Sequence, residues 1–159
     1  MEELNSLFMD ILEFNERNIK RLLIVEDNEI DSTRIANLFK DITHIEIEIA
    51  KSGDDALEKW QDQTFDVIVL DYMLHDTSAV DLVKKMNNKK QLQLTPTIIY
   101  SAKDFTPLEL KDLQKIANSI LLKDVSSPEL LLEEAIMYLH INHKDLPEIT
   151  RLKIEKIQI

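Results

Sequence analysis

Five short apolar runs punctuate the chain, and a stretch with helical periodicity follows each one. That alternation constrains the fold more than any other feature. The runs are Arg21-Leu22-Leu23-Ile24-Val25-Glu26-Asp27, His44-Ile45-Glu46-Ile47-Glu48-Ile49, Phe65-Asp66-Val67-Ile68-Val69-Leu70-Asp71, Pro96-Thr97-Ile98-Ile99-Tyr100-Ser101 and Ser119-Ile120-Leu121-Leu122-Lys123. Val67 to Leu70 is too short for a helix, β-branched, and apolar on both faces, the pattern of a strand buried on both sides of a parallel sheet. The second run alternates strictly, with isoleucines on one face and Glu46 and Glu48 on the other. That marks a half-exposed edge strand. Short β–α connections make such a sheet parallel and cover both of its faces with helices. An edge position for the second strand is consistent with strand order 2-1-3-4-5 in a three-layer α/β/α domain.

Helix starts carry their own signals. Asp31 falls in the first turn of a helix bearing Ile30, Arg34, Ile35, Leu38 and Phe39, where a negative charge suits the helix N-terminus. Ser52-Gly53-Asp54-Asp55 supplies a capping serine and two first-turn acids to a helix reaching about Gln61, with Ala56, Leu57 and Trp60 inward. Ser78 to Asn87 is a third helix, with Val80, Leu82, Val83 and Met86, followed by a polar loop to Gln93. Thr106-Pro107-Leu108-Glu109 is a capping box with proline at the first helical position, and its helix continues to about Ala117. Ser127-Pro128-Glu129 opens the last core helix, with Leu130, Leu131, Ala135, Tyr138 and Leu139 toward the core.

Two flanks remain. Glu3 to Asn18 sets Leu4, Leu7, Phe8, Ile11 and Leu12 on one narrow helical stripe, suited to core packing or to a homodimer contact. Pro147 to Ile159 reads as one more helix, with Ile149 and Leu152 on one side. The expected organisation is a connector helix over residues 1–19, a single domain over 20–141 and a C-terminal connector over 142–159.

Composition removes several function classes. A net charge of −11 argues against nucleic acid and anionic membranes as direct partners. No stretch approaches the length of a membrane span, and Met1-Glu2-Glu3-Leu4 lacks the features of a signal peptide. The absence of cysteine excludes disulfides and thiolate metal sites, and points to a cytoplasmic protein. With Gly53 as its single glycine, the chain cannot form a glycine-rich phosphate loop.

The strand ends carry the chemistry. Glu26 and Asp27 end the first strand, Asp71 the third, Ser101 the fourth and Lys123 the fifth. In an open α/β sheet, ligands bind beyond the carboxyl ends of the strands, and in this order these four strands are neighbours. Taken alone, Asp71 reads equally as a cap on the following turn. Taken together, three carboxylates repel one another unless a cation intervenes. Mg²⁺ suits them, because it prefers one or two carboxylates together with waters and a phosphate. A carboxylate in such a setting can attack a phosphoryl group and form an acyl phosphate. Lys123 offers a compact positive charge to phosphoryl oxygens, and Ser101 a hydroxyl donor.

With these pieces assembled, Lys20 to His140 resembles the receiver domain of two-component response regulators, a flavodoxin-like (βα)5 fold. The matching segments are Leu23-Ile24-Val25-Glu26-Asp27-Asn28, Val67-Ile68-Val69-Leu70-Asp71, Ile98-Ile99-Tyr100-Ser101-Ala102-Lys103 and Leu121-Leu122-Lys123. The resemblance implies that Asp71 is the phosphoacceptor. It implies that Asp27, with Glu26 through water, and the backbone carbonyl of Met73 hold Mg²⁺, that Ser101 is the switch hydroxyl and that Lys123 is the invariant lysine. The implied partner is a phosphohistidine-bearing histidine kinase or phosphotransfer domain. His75 and Ala79 stand where the family usually has proline and glycine, and Asp124 replaces the proline after the lysine, which removes the reason to expect a cis peptide there. Ile120 replaces the switch aromatic, so the aromatic rotamer readout is absent.

The stretch from Ile120 to Glu134, with Tyr138-Leu139-His140 and Leu146-Pro147-Glu148, is similar to receivers embedded in hybrid sensor histidine kinases. The flanking helices would then connect domains. The 159 residues hold no transmitter histidine or ATP-binding motif, so any kinase core belongs to a larger parent. Two rival readings stand beside the phosphoacceptor. A phosphatase with an aspartyl-phosphate intermediate wants a second acid two residues after the nucleophile, where this chain has Met73. A degenerate receiver would serve only for docking or dimerisation. Met73 is also placed to shield an acyl phosphate and slow its hydrolysis. His75 either fills the loop after Asp71 or touches the phosphoryl group, and His140 and His143 read as surface residues near a helix end.

Overall fold

The computed structural model describes residues 19–90, 95–141 and 146–155. Five strands form one parallel sheet: β1 (Lys20–Val25), β2 (Ile45–Ala50), β3 (Val67–Leu70), β4 (Thr97–Ser101) and β5 (Ser119–Leu122). Their order is β2-β1-β3-β4-β5, with β2 at the edge. The helices are α1 (Glu29–Leu38), α2 (Gly53–Asp62), α3 (Ala79–Lys89), α4 (Pro107–Gln114), α5 (Pro128–Tyr138) and α6 (Glu148–Glu155).

Alternate strand residues point to opposite faces, so one sheet feeds two cores. Leu22, Ile24, Val67, Val69, Ile98, Tyr100 and Leu121 pack with Ile35 of α1, Phe39 just after it, and Leu131, Leu132, Ala135 and Ile136 of α5. Leu23, Val25, Ile68, Leu70 and Ile99 pack on the other face with Ala56 and Trp60 of α2, Leu82 and Met86 of α3 and Leu113 of α4. The Trp60 indole is fully buried and donates to the Met86 carbonyl at 3.0 Å, which satisfies its one polar atom. Side-chain caps close five helix starts: Asn28, Ser52, Ser78, Thr106 and Ser127 each accept a backbone N–H from the first turn. The expected capping box at Thr106 and Glu109 is complete.

Several boundaries differ from the sequence reading. Strands β1, β3 and β5 stop before their polar residues, which stand on the loops just beyond. The third helix runs on through Asn87 to Lys89, into the expected polar loop, while α4 stops at Gln114, short of Ala117. Leu57, Leu130 and Tyr138 are only partly buried. In α6 the expected apolar side faces solvent: Ile149 and Leu152 are 53% and 52% exposed. Its packed side is Thr150 and Ile154, and Ile154 joins Leu146 in the α1–α5 core. An eight-residue helix with few apolar positions does not encode its inward side in periodicity. The expected N-terminal helix and His143 lie outside the described residues. Among the described residues, no helix is long and apolar enough to cross a membrane.

Candidate functional site

Glu26 and Asp27 directly follow β1, and Asp71 directly follows β3. These strands pair in parallel, with Val25 opposite Leu70, so the three acids leave the sheet side by side. One carboxylate oxygen from each of Glu26, Asp27 and Asp71 lies within 4.8 Å of the others. Lys123 follows β5, which pairs with β4 through Ser101 and Leu122. Its Nζ donates to Glu26 Oε2 at 3.1 Å and to Asp31 Oδ2 at 3.1 Å. The same ammonium lies 5.7 Å from the centre of the Tyr100 ring, within cation–π range. Among the described residues its ion pairs go to Glu26 and Asp31 and not to Asp71.

Electrostatics mark this corner as short of positive charge. The Glu26 side chain is 2% exposed. Burial, and then the Asp71 charge, push its pKa up to about 7, although Lys123 and the Asn28 N–H oppose the rise. Burial disfavours the charge on Lys123, but Glu26, Asp31 and Asp71 outweigh it and hold the ammonium above its ordinary pKa. A buried carboxylate that takes up a proton near neutrality, beside two more carboxylates, is a donor set with which a divalent cation fits. Oxygen-only donors suit a hard ion.

The loop after β3 is stapled at several points. Tyr72 N donates to Asp71 Oδ1 at 2.8 Å, which orients that carboxylate. Met73 bridges to Ser78, Leu74 N donates to Thr77 O at 2.9 Å, and Ala79 N donates to Tyr72 O at 2.7 Å. Asp76 reaches α2 and accepts from Gly53 N at 2.9 Å and Asp54 N at 3.1 Å. Those bonds, the one to Gly53 first, hold its carboxyl below the usual carboxylate range. A β-carbon at Gly53 would collide with the Thr77 methyl, so the chain's single glycine stands where loop and helix touch. Asp76 thereby anchors a loop in which His75 and Ala79 replace the usual proline and glycine. His75 N donates to Asp27 Oδ2 at 2.9 Å and His75 Nδ1 stands 3.6 Å from the same oxygen, so this histidine faces Asp27.

Ser101 is buried, and its Oγ accepts from Lys103 N at 3.3 Å. Beyond it, Lys103, Phe105 and Glu109 close around Tyr72. The Tyr72 hydroxyl donates to Glu109 Oε2 at 3.0 Å, its ring meets Phe105 edge-on at 4.9 Å, and Lys103 Nζ lies 3.2 Å from Glu109 Oε2. The Thr106 N–H, then Lys103 and Tyr72, bring the Glu109 carboxyl down to about 2. Burial and the Glu109 carboxylate move the Tyr72 phenol the other way, above its ordinary value. Ile120 is half-buried and packs on the α2–α4 core. The Lys123–Asp124 peptide is trans.

The structure thus brings Glu26, Asp27, Asp71 and Lys123 together at the carboxyl edge, with Ser101 ending the strand between those that lead to Asp71 and Lys123. The Met73 side chain is largely exposed beside them. Sequence reasoning placed Asp31 only as a first-turn charge and Glu109 only as a capping residue. It did not single out Tyr72, Lys103 or Asp76. No local signal joins Asp31 to Lys123, 92 residues away.

Residues 22–135 match the response regulator receiver domain family, and the chain belongs to it. The response regulator ArlR of Staphylococcus saprophyticus is 29% identical over 136 residues, which are 86% of this chain and 60% of that protein. The chain therefore spans about 60% of the length of the curated relatives it matches. Among solved structures, the receiver domain of the Francisella response regulator 1452 is 27% identical with a TM-score of 0.64, covering 77% of this chain and 99% of that one. The chemotaxis response regulator CheY4 of Vibrio cholerae is 25% identical with a TM-score of 0.66, covering 76% and 98%.

Proposed function

We propose that this receiver takes a phosphoryl group onto Asp71 from a phosphohistidine of a histidine kinase or phosphotransfer domain. The observation that carries the reading is the meeting of Glu26, Asp27 and Asp71 within 4.8 Å, with the Lys123 ammonium on Glu26. In the reaction an Asp71 carboxylate oxygen attacks phosphorus. The P–O bond of an acyl phosphate forms, the P–N bond to the imidazole breaks, and the electron pair returns to the donor nitrogen. Glu26, Asp27, Asp71 and the Met73 carbonyl are the proposed holders of Mg²⁺, which when bound would neutralise charge on the transferring oxygens. Tyr72 N–H orients the nucleophile, Lys123 and the Ser101 hydroxyl receive the phosphoryl oxygens, and the stapled 72–78 loop keeps the carboxylates in register.

The likeness of the C-terminal third to hybrid receivers leads us to propose that residues 20–141 of this chain are the receiver of a hybrid sensor histidine kinase, with connectors on both sides. The test is mass spectrometry after incubation with acetyl phosphate and Mg²⁺. The wild-type chain should gain one phosphoryl group, and Asp71→Asn or omission of the metal should prevent it. An unmodified wild type would leave a receiver that serves only for docking.

A further inference from the structure

Asp31 has no part in the chemistry above, yet it holds one of the two ion pairs of Lys123. Its carboxylate takes the ammonium at 3.1 Å from the first turn of α1, whereas Lys123 makes no ion pair with Asp71 among the described residues. Its backbone is held in the capped first turn of α1, where Asp31 N donates to Asn28 Oδ1 at 3.0 Å. A cavity of about 320 Å³ is lined by Asp31, Arg34, Tyr100 and Lys123 among others. Lys123 therefore has both a partner other than Asp71 and room beside it. Its other partner, Glu26, belongs to the acidic trio.

We propose that Asp31 is a positioning residue that parks Lys123 and competes with a phosphoryl group on Asp71 for the ammonium. The inference rests on the phosphoacceptor reading and deepens it. Lys123 has one charge to give, and Asp31 and a phosphoryl group on Asp71 would both claim it. A phosphoryl group draws Lys123 across only by its advantage over Asp31, since a ligand shifts an equilibrium by its differential affinity alone. The competition sets how readily the phosphorylated arrangement forms, and it needs no aromatic side chain at position 120, so Ile120 does not impede it.

The experiment is calorimetric titration of the whole chain with beryllofluoride, a phosphoryl mimic, in the presence of Mg²⁺. Asp31→Asn should tighten binding about fivefold, the scale of a partly exposed ion pair near 1 kcal/mol. Asp31→Glu should restore the wild-type affinity, and Asp31→Ser should repeat the gain with a different neutral side chain. A general loss of repulsion would also tighten binding, so the cycle is repeated in Lys123→Met. There the Asp31→Asn gain should vanish. Rates of labelling by acetyl phosphate provide the same cycle if beryllofluoride is too weak in that background. An Asp31→Asn protein that binds no more tightly than wild type overturns the proposal, as does a gain that survives in Lys123→Met. A wild type that fails to bind overturns the phosphoacceptor reading itself, and the two failures are thereby told apart.

Discussion

Two lysines stand just beyond β4 and β5 at the carboxyl edge of the sheet, and the chain holds them by opposite means. Lys123 is 15% exposed and spans a buried acid and a rim acid, Glu26 at 2% and Asp31 at 33%. Lys103 is 40% exposed and lies on Glu109 and the Tyr72 ring. The first arrangement is charge-dense and largely shielded from water, so its electrostatics are weakly screened and the buried Glu26 carboxyl is pushed up to about 7. The second is a surface latch of one ion pair, one hydroxyl bond and two ring contacts, joining the loop after β3 to the segment after β4. A buried lysine in an acid pocket has its energy in charge, whereas an exposed one contributes mainly geometry.

The largest effect expected from this contrast is at Lys123. Lys123→Met leaves the buried Glu26 and the rim Asp31 without their shared cation, and should lower unfolding free energy by about 2 kcal/mol in urea titrations without metal. The comparison breaks if Lys103→Met costs as much. A smaller effect is expected at the latch. Tyr72→Phe removes the hydroxyl bond while keeping the ring, and should speed amide hydrogen exchange over residues 102–109 about threefold, with little change elsewhere.

The smallest effect is a pH dependence. The Glu109 carboxyl is lowered in the folded protein from 4.5 to about 2, so its contribution is complete above pH 4.5 and is lost as pH falls toward 2. Thermal unfolding followed from pH 5 to pH 2 should therefore show a shallower acid decline in Glu109→Gln than in wild type. An equal decline would mean that the latch carries no charge term.

The reading from sequence succeeded where information is local. Binary pattern distinguished β2 from the fully buried β3, because one face of an edge strand meets water. Strand-end residues Glu26, Asp27, Asp71, Ser101 and Lys123 were legible because a parallel order sends those ends to one rim. The readings that failed depended on contacts that no periodicity records. The outward turn of Ile149 and Leu152 follows from which side of α6 meets Ile154's neighbours in the α1–α5 core. Nothing local marks Asp76, whose role comes from the α2 backbone that donates to it across 22 residues.

The sequence by itself determined the alternation of strands and helices, the edge position of the second strand, and the acids, hydroxyl and lysine available at the strand ends, since each depends on spacing along the chain and on what that spacing can bury. Only the tertiary structure decided that Lys123 leans on Glu26 and Asp31, that Tyr72 is tied to Glu109, and that Asp76 caps a helix from outside. Those choices are made where crossover connections bring distant residues within hydrogen-bond reach, and a charge pairs with whichever opposite charge the packing delivers to it.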